Sequence, residues 1–203
     1  HVEALTNRFL RTDGDILEVM EYVFTQDWFY DPANIGAQIK SPVELLAGMQ
    51  RTLQMDFVDK TPVLYAQKLL GQTLFNPPNV AGWPSGTAWI DSSSLLTRMQ
   101  LPKVLFRNEM LAASVKESGD ANEETVKRKS KFEVTMNWEK FSSFFDSFSE
   151  QELTQALASH LIQVPINSSL LKQIDKQGSA PSRVERVKQL TVALMSIPEY
   201  QVC

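Results

Sequence analysis

Residues 41–53 read Ser-Pro-Val-Glu-Leu-Leu-Ala-Gly-Met-Gln-Arg-Thr-Leu, and this stretch predicts a helix from its first residue. Ser41 can cap the free backbone N–H groups, Pro42 suits the first helical position, and Glu44 completes a capping box. Apolar residues then recur at helical spacing, at Val43, Leu46, Met49 and Leu53. Gly48 interrupts this helix, where glycine costs about 1 kcal/mol relative to alanine. We expect a neighbouring backbone to approach closely there.

Similar helix signals lie on both sides of this stretch. Gly71 ends a second proline-started helix, and Asp91 is an N-cap candidate for another. Later capping pairs occur at Ser149 with Glu152 and at Ser182 with Glu185. Strand signals are poor, because no long run of alternating β-branched residues and no Asn-Gly turn occurs. The sequence predicts an all-α fold, a multi-helical orthogonal array with one long ordered loop rich in glycine, proline and tryptophan.

The helical pattern extends along the chain, which predicts a single helical domain over residues 1–203. One stretch, residues 116–133, loses all apolar periodicity and is predicted to be a mobile internal loop or linker. The chain opens on HVEALTNRFL, inside a predicted helix. We therefore expect an upstream part to be missing, so that this chain is the C-terminal part of a longer protein.

Composition narrows the class of protein. Apolar residues make up 43% of the chain and charged residues 22%, as in ordinary globular proteins, and the net charge is −4. An acidic chain without a basic stripe argues against nucleic-acid binding. Cys203 is the only cysteine, which excludes an intrachain disulfide and a zinc site built on thiolates. No apolar run approaches the length of a membrane span.

A search for catalytic residues finds no defensible set. The chain has two histidines, His1 and His160, and lacks the zinc, phosphate-loop and dinucleotide motifs. His160 lies near a helix end, where interaction with the helix dipole explains it. Ser85 has the spacing Gly-x-x-Ser-Gly, which does not match the hydrolase nucleophile elbow. No catalytic residue, metal ligand or cofactor is therefore predicted, and whether the protein is an enzyme stays open.

The loop from Gly71 to Asp91, GQTLFNPPNVAGWPSGTAWID, is the most unusual segment. Two tryptophans in such a loop could form a stacking platform for a sugar ring or a peptide. Alternatively, the loop is a rigid structural plug with Trp83 buried beneath it, and we favour this interpretation. In it, glycines make the turns and asparagine side chains satisfy the backbone. The candidate binding residues are Asn76, Asn79, Trp83 and Trp89.

Residues 75–90, Phe-Asn-Pro-Pro-Asn-Val-Ala-Gly-Trp-Pro-Ser-Gly-Thr-Ala-Trp-Ile, resemble the hallmark of a large bacterial family, domain of unknown function 1800. Residues 40–45 resemble the family's upstream helix start, and residues 196–203 resemble its C-terminal ending. The similarity covers essentially the whole chain. One departure is Ser85, where the family pattern leads us to expect glycine.

The resemblance implies bacterial origin, frequent export to the periplasm or beyond, and a longer N-terminal part. It also implies a partner, an exported sulfatase-like protein of the family domain of unknown function 1501. It implies no reaction. We therefore expect a non-catalytic scaffold or protein-interaction module. Two alternatives stay open, a hydrolase-type enzyme with its catalytic residues in the missing N-terminal half and a carbohydrate-binding module using Trp83 and Trp89.

Overall fold

The computed structural model describes residues 1–107, 132–176 and 180–203. The described chain is mostly helical with one two-stranded sheet, which confirms the predicted all-α class. The α-helices and strands in order are α1 (Val2–Arg11), α2 (Ile16–Phe24), α3 (Pro42–Leu53), β1 (Asp56–Phe57), α4 (Thr61–Leu70), α5 (Ser92–Phe106), β2 (Val134–Thr135), α6 (Trp138–Ser143), α7 (Glu150–Leu161), α8 (Ser168–Asp175) and α9 (Arg183–Met195). Short 3-10 helices cover Asp27–Tyr30, Pro32–Asn34, Gly86–Trp89 and Pro198–Gln201.

The chain divides into two compact units, residues 1–37 and residues 38–203. In the first, which we call the N-terminal unit, α1 and α2 form a helical hairpin. Gly14 turns the chain between them with a φ of +85°, a backbone conformation that glycine adopts easily. Asp15 then caps α2 by accepting from the N–H groups of Leu17 and Glu18.

In the second unit, α9 is the central helix of the core and packs against α5, α6, α7 and α8. Its inward face recurs at helical spacing and is buried, at Val187, Leu190, Leu194 and Met195. Ser182 caps its first turn by accepting from the N–H of Glu185 at 3.2 Å. The capping signal predicted from the sequence is therefore confirmed.

Helix α3 begins as predicted, because Ser41 and Glu44 form the complete capping box after which Pro42 occupies the first turn. Its buried face packs towards α4, which in turn packs against α5. The expectation for Gly48 was wrong. A Cβ added at Gly48 would meet no atom within 4 Å, so no neighbouring backbone requires glycine there.

Strands β1 and β2 pair antiparallel, with Asp56 opposite Thr135 and Phe57 opposite Val134. The predicted mobile segment, residues 116–133, ends directly before β2. Residues 116–131 of that segment lie outside the described residues. Its last two residues are described, and Phe132 is fully buried in the core.

Candidate functional site: the loop between α4 and α5

Both ends of the loop between α4 and α5 are fixed by hydrogen bonds. Gly71 ends α4 with a φ of +89°, as the sequence predicted. The side-chain oxygen of Gln72 then accepts from the N–H of Val43 at 2.9 Å, which ties the loop's entry to the start of α3. At the exit, Asp91 caps α5 by accepting from the N–H groups of Ser93 and Ser94.

Within the loop, local turns satisfy the backbone. The side-chain oxygen of Asn79 accepts from the N–H of Ala81 at 2.8 Å, and its carbonyl accepts from Gly82 at 3.1 Å. Gly82 and Gly86 have φ values of +85° and +60°, which residues with a Cβ rarely adopt. These contacts confirm the predicted turn roles of Asn79 and the two glycines. The described loop is therefore ordered by its own sequence.

The burial of the two tryptophans in this loop differs from our expectation. Trp89, not Trp83, is the buried anchor, since Trp89 is 7% exposed and Trp83 is half-buried. Trp89 closes the 3-10 helix directly before α5, and its carbonyl accepts from the hydroxyl of Ser94 at 3.0 Å. That bond fixes the backbone of Trp89 to the first turn of α5. Because Trp89 is buried, its ring is not free for stacking, whereas Trp83 is partly accessible.

At residues 74–80, which we call the loop tip, large apolar side chains face solvent. Phe75 is 92% exposed and has a φ of +64°, while Val80 is fully exposed. A bulky residue at positive φ is a genuine conformational outlier, and such strain clusters at functional sites. The predicted binding residues Asn76 and Asn79 are also exposed and flank Pro77 and Pro78 at this tip. Their binding role stays a prediction.

Sequence reasoning did not single out Phe75 or Val80. The available signal was their position, because both are large apolar residues in a proline-rich loop without helical periodicity. Nothing in the sequence, however, distinguishes a side chain that folds inward from one that faces solvent. Exposure of the loop tip was therefore visible only in the structure.

A family model matches residues 1–202, nearly the full length of the chain. The chain belongs to the family described as protein of unknown function, DUF1800. The match confirms the resemblance carried by residues 75–90. A search of curated proteins and a search of solved structures each found no match to the DUF1800 chain.

A buried polar cluster of the DUF1800 chain lies in its core. Arg98 on α5 is fully buried, and its Nη1 donates to the carbonyl of Lys40 at 2.9 Å. Its Nε and Nη2 have no hydrogen-bond partner among the described residues. Burial disfavours the charged guanidinium and lowers the pKa of Arg98 to about 10.

Lys40 connects this buried arginine to the C-terminal residues. Its N–H donates to the carbonyl of Gln201 at 2.9 Å, and its ammonium donates to the carbonyl of Tyr200 at 2.7 Å. The ammonium also lies 4.1 Å from the centre of the Tyr200 ring. Burial lowers the pKa of Lys40, and the nearby charges of Cys203 and Glu44 act in the opposite direction. These contacts fix residue 40 between α5 and the C-terminal segment.

Two further candidates from the sequence, His160 and Ser85, lie outside residues 74–80. His160 is exposed near the end of α7, with its ring 5.6 Å from that of Phe145. Ser85 is exposed and has no side-chain contact that would activate it among the described residues. In the same ranges, no group of three or more His, Cys, Asp or Glu residues is arranged to hold a metal ion. No described helix has the length and apolar character needed to cross a membrane.

Proposed function

We propose that this DUF1800 chain is a non-catalytic protein-interaction module that binds its partner through the loop tip. One observation carries the proposal: Phe75 presents its ring to solvent from a left-handed backbone conformation, beside two prolines. A phenylalanine ring that is 92% exposed contributes almost no buried apolar surface to the fold. Strain of this kind costs about 1–3 kcal/mol, and a binding role would account for a strained, exposed aromatic residue.

The loop tip also has the physical properties of a good contact surface. Pro77 and Pro78 each fix one backbone dihedral, and Asn79 fixes the next turn. A surface that is ordered before binding loses little conformational entropy when the partner docks. Exposed aromatic residues contribute most where they fill a pocket on the partner. Phe75 and Val80 are therefore the residues expected to carry the affinity.

For the partner, we propose the exported sulfatase-like protein of the family domain of unknown function 1501, with both proteins outside the cytoplasm. Support for this choice comes from the family resemblance of residues 75–90. The loop tip adds a chemical requirement, because Phe75 and Val80 need an apolar pocket on the partner. The half-exposed ring of Trp83 lies in the same loop and offers a further contact.

The test is a direct binding measurement between the two purified proteins by calorimetry. We expect Phe75→Ser to weaken binding at least tenfold, since it removes the anchor. Val58→Ser is the matched control, because Val58 is 68% exposed but lies outside the loop, after β1. Equal affinities for wild type, Phe75→Ser and Val58→Ser would show that the loop tip does not bind this partner.

Phe75→Gly separates binding from folding. Glycine adopts a φ of +64° without strain, so this variant should melt at or above the wild-type temperature while losing affinity. A variant that binds as wild type would contradict the proposal even if its stability had risen.

The alternatives predict other results. A carbohydrate-binding module would bind a glycan array, lose that binding on Trp83→Ala and keep it on Phe75→Ser. A hydrolase-type enzyme with its catalytic residues in an N-terminal half would show activity only in a longer protein. Activity profiling of that longer protein tests the second alternative.

A further inference from the structure

The N-terminal unit exposes an apolar stripe along α2. Ile16, Met20 and Phe24 follow one another at intervals of four residues, which places them on one helix face. All three are exposed, Ile16 by 69%, and Leu17 beside them is 75% exposed. In residues 1–37, all of which the structure describes, no side chain is buried. The large apolar side chains of this unit are therefore exposed or only half-buried.

The hairpin and the turns after it carry further exposed apolar side chains, and contacts from these turns hold the end of α2. From α1, Phe9 and Leu10 are exposed. At the far end of α2, the hydroxyl of Tyr30 donates to the carbonyl of Phe24 at 2.7 Å. The ring of Phe29 packs edge-on against that of Phe24, with 5.1 Å between centres. Exposed apolar side chains that cluster on one surface are often found where a protein binds a partner.

The charge of the unit indicates which partner suits it. Residues 1–37 contain seven of the chain's 24 acidic residues but only two of its 20 basic ones, a net charge of −5. Arg8 is paired with Glu18 at 3.0 Å. The other acidic side chains are all exposed, at Glu3, Asp13, Asp15, Glu21, Asp27 and Asp31. The apolar stripe is therefore accompanied by exposed negative charge.

We infer that the N-terminal unit is a docking element for a protein whose apolar groove is rimmed by lysine and arginine. Residues at i, i+4 and i+8 are the anchors that an amphipathic helix lays into such a groove, and Ile16, Met20 and Phe24 fill these positions. Basic rim residues would complement the exposed carboxylates and speed association. The apolar stripe belongs to residues 1–37 and the loop tip to residues 38–203, so the inference adds a second binding site to the proposed function.

The net negative charge of the N-terminal unit also disfavours other binding partners for this surface. Two copies would bring together units of net charge −5, so a symmetric pair through this face is disfavoured. Anionic lipid headgroups and nucleic-acid phosphates would be repelled in the same way. A basic protein surface is the occupant that satisfies both the apolar stripe and the carboxylates.

The experiment begins with photo-crosslinking in the native host, from benzoylphenylalanine placed at position 20 of the full chain. The crosslinked protein and its crosslinked peptide are identified by mass spectrometry, and that protein is purified. We expect the peptide to come from an apolar surface with lysine or arginine on its rim. A crosslink to a second copy, to a segment without basic residues, or to no protein overturns the inference.

Affinity measurements with the purified partner then test both parts of the surface. We expect Met20→Ser to weaken binding at least tenfold and Glu21→Lys to slow association, most strongly at low salt. Val58→Ser is again the matched control. Salt-independent association, or wild-type binding by both variants, contradicts the inference.

Two further measurements separate this surface from other interactions. Phosphatidylglycerol vesicles should not bind the wild-type chain, and binding that Met20→Ser abolishes would assign the face to membranes instead. Phe75→Ser should leave the crosslink at position 20 intact, and Met20→Ser should leave any binding through the loop tip intact. Failure of one proposal is thus distinguishable from failure of the other.

Discussion

The guanidinium of Arg98 and the backbone carbonyl of Lys40, 58 residues apart in the sequence, are joined by a 2.9 Å hydrogen bond inside the core. The N–H of the same residue 40 donates to the carbonyl of Gln201. One peptide segment is thus fixed from α5 on one side and from the C-terminal residues on the other. The buried charge forms no ion pair with a carboxylate of the described residues.

Substitutions at Arg98 should show that its volume contributes more to stability than its charge. Arg98→Met loses a charged hydrogen bond worth about 1.5–3 kcal/mol but also removes the cost of burying an unpaired cation. We expect its free energy of unfolding to lie within about 1 kcal/mol of wild type. Arg98→Ala leaves a cavity as well and should be destabilised by about 2–5 kcal/mol. Urea unfolding measures both values, and equal losses would show that the charge itself is needed.

Tyr200 should make the fold less stable at high pH. Burial raises the pKa of Tyr200 above its ordinary value of about 10, so the native state keeps this proton where the unfolded chain has lost it. The unfolded state then binds fewer protons, and stability falls as the pH rises past about 10. Tyr200→Phe should remove about 1 kcal/mol of this fall between pH 8 and pH 11.

Urea unfolding at the two pH values gives the comparison for Tyr200. Tyr22→Phe is the matched control, because it removes a phenol hydroxyl on α2 and keeps the ring over which Arg8 lies. If Tyr200→Phe and wild type lose the same stability between pH 8 and pH 11, the phenol of Tyr200 is not protected by burial.

Helix starts were predictable because they depend on neighbouring residues. The capping box of Ser41 with Glu44 and the cap at Asp91 each use groups within three residues, which the sequence displays directly. The buried position of Arg98 was not predictable, since it depends on residue 40 and on the C-terminal segment arriving beside α5. The exposure of Phe75 likewise depends on the path of the whole loop. Local rules could predict the elements, but not which loop side chains would face solvent.

Gly48 and Gly82 should respond to alanine with opposite signs. Gly48 lies inside α3 with free space where a Cβ would go, so Gly48→Ala should stabilise the protein by about 0.5–1 kcal/mol. Gly82 also has free space, but its φ of +85° is costly for alanine. Gly82→Ala should destabilise by about 1–2 kcal/mol. Melting temperatures of the two variants check this, and a loss of stability for Gly48→Ala would reveal a tight contact at α3.

The two tryptophans of the loop should differ strongly in their contribution to stability. Trp89 is buried and its carbonyl is held by Ser94, so Trp89→Ala should cost about 3–5 kcal/mol, the range for deleting a large buried aromatic. Trp83 is half-buried and removes less apolar surface from water, so Trp83→Ala should cost clearly less. Urea unfolding of both single variants gives the comparison.

Acrylamide quenching adds a readout of exposure for the same pair. The difference between wild type and each single variant gives the emission of the tryptophan that was removed. We expect acrylamide to quench the emission of Trp83 readily and that of Trp89 only weakly. Since the two residues are six positions apart in one loop, a general loosening of the loop would affect both alike. A larger loss of stability for Trp83→Ala, together with a protected Trp83 signal, would restore Trp83 as the anchor of the loop and contradict the assignment to Trp89.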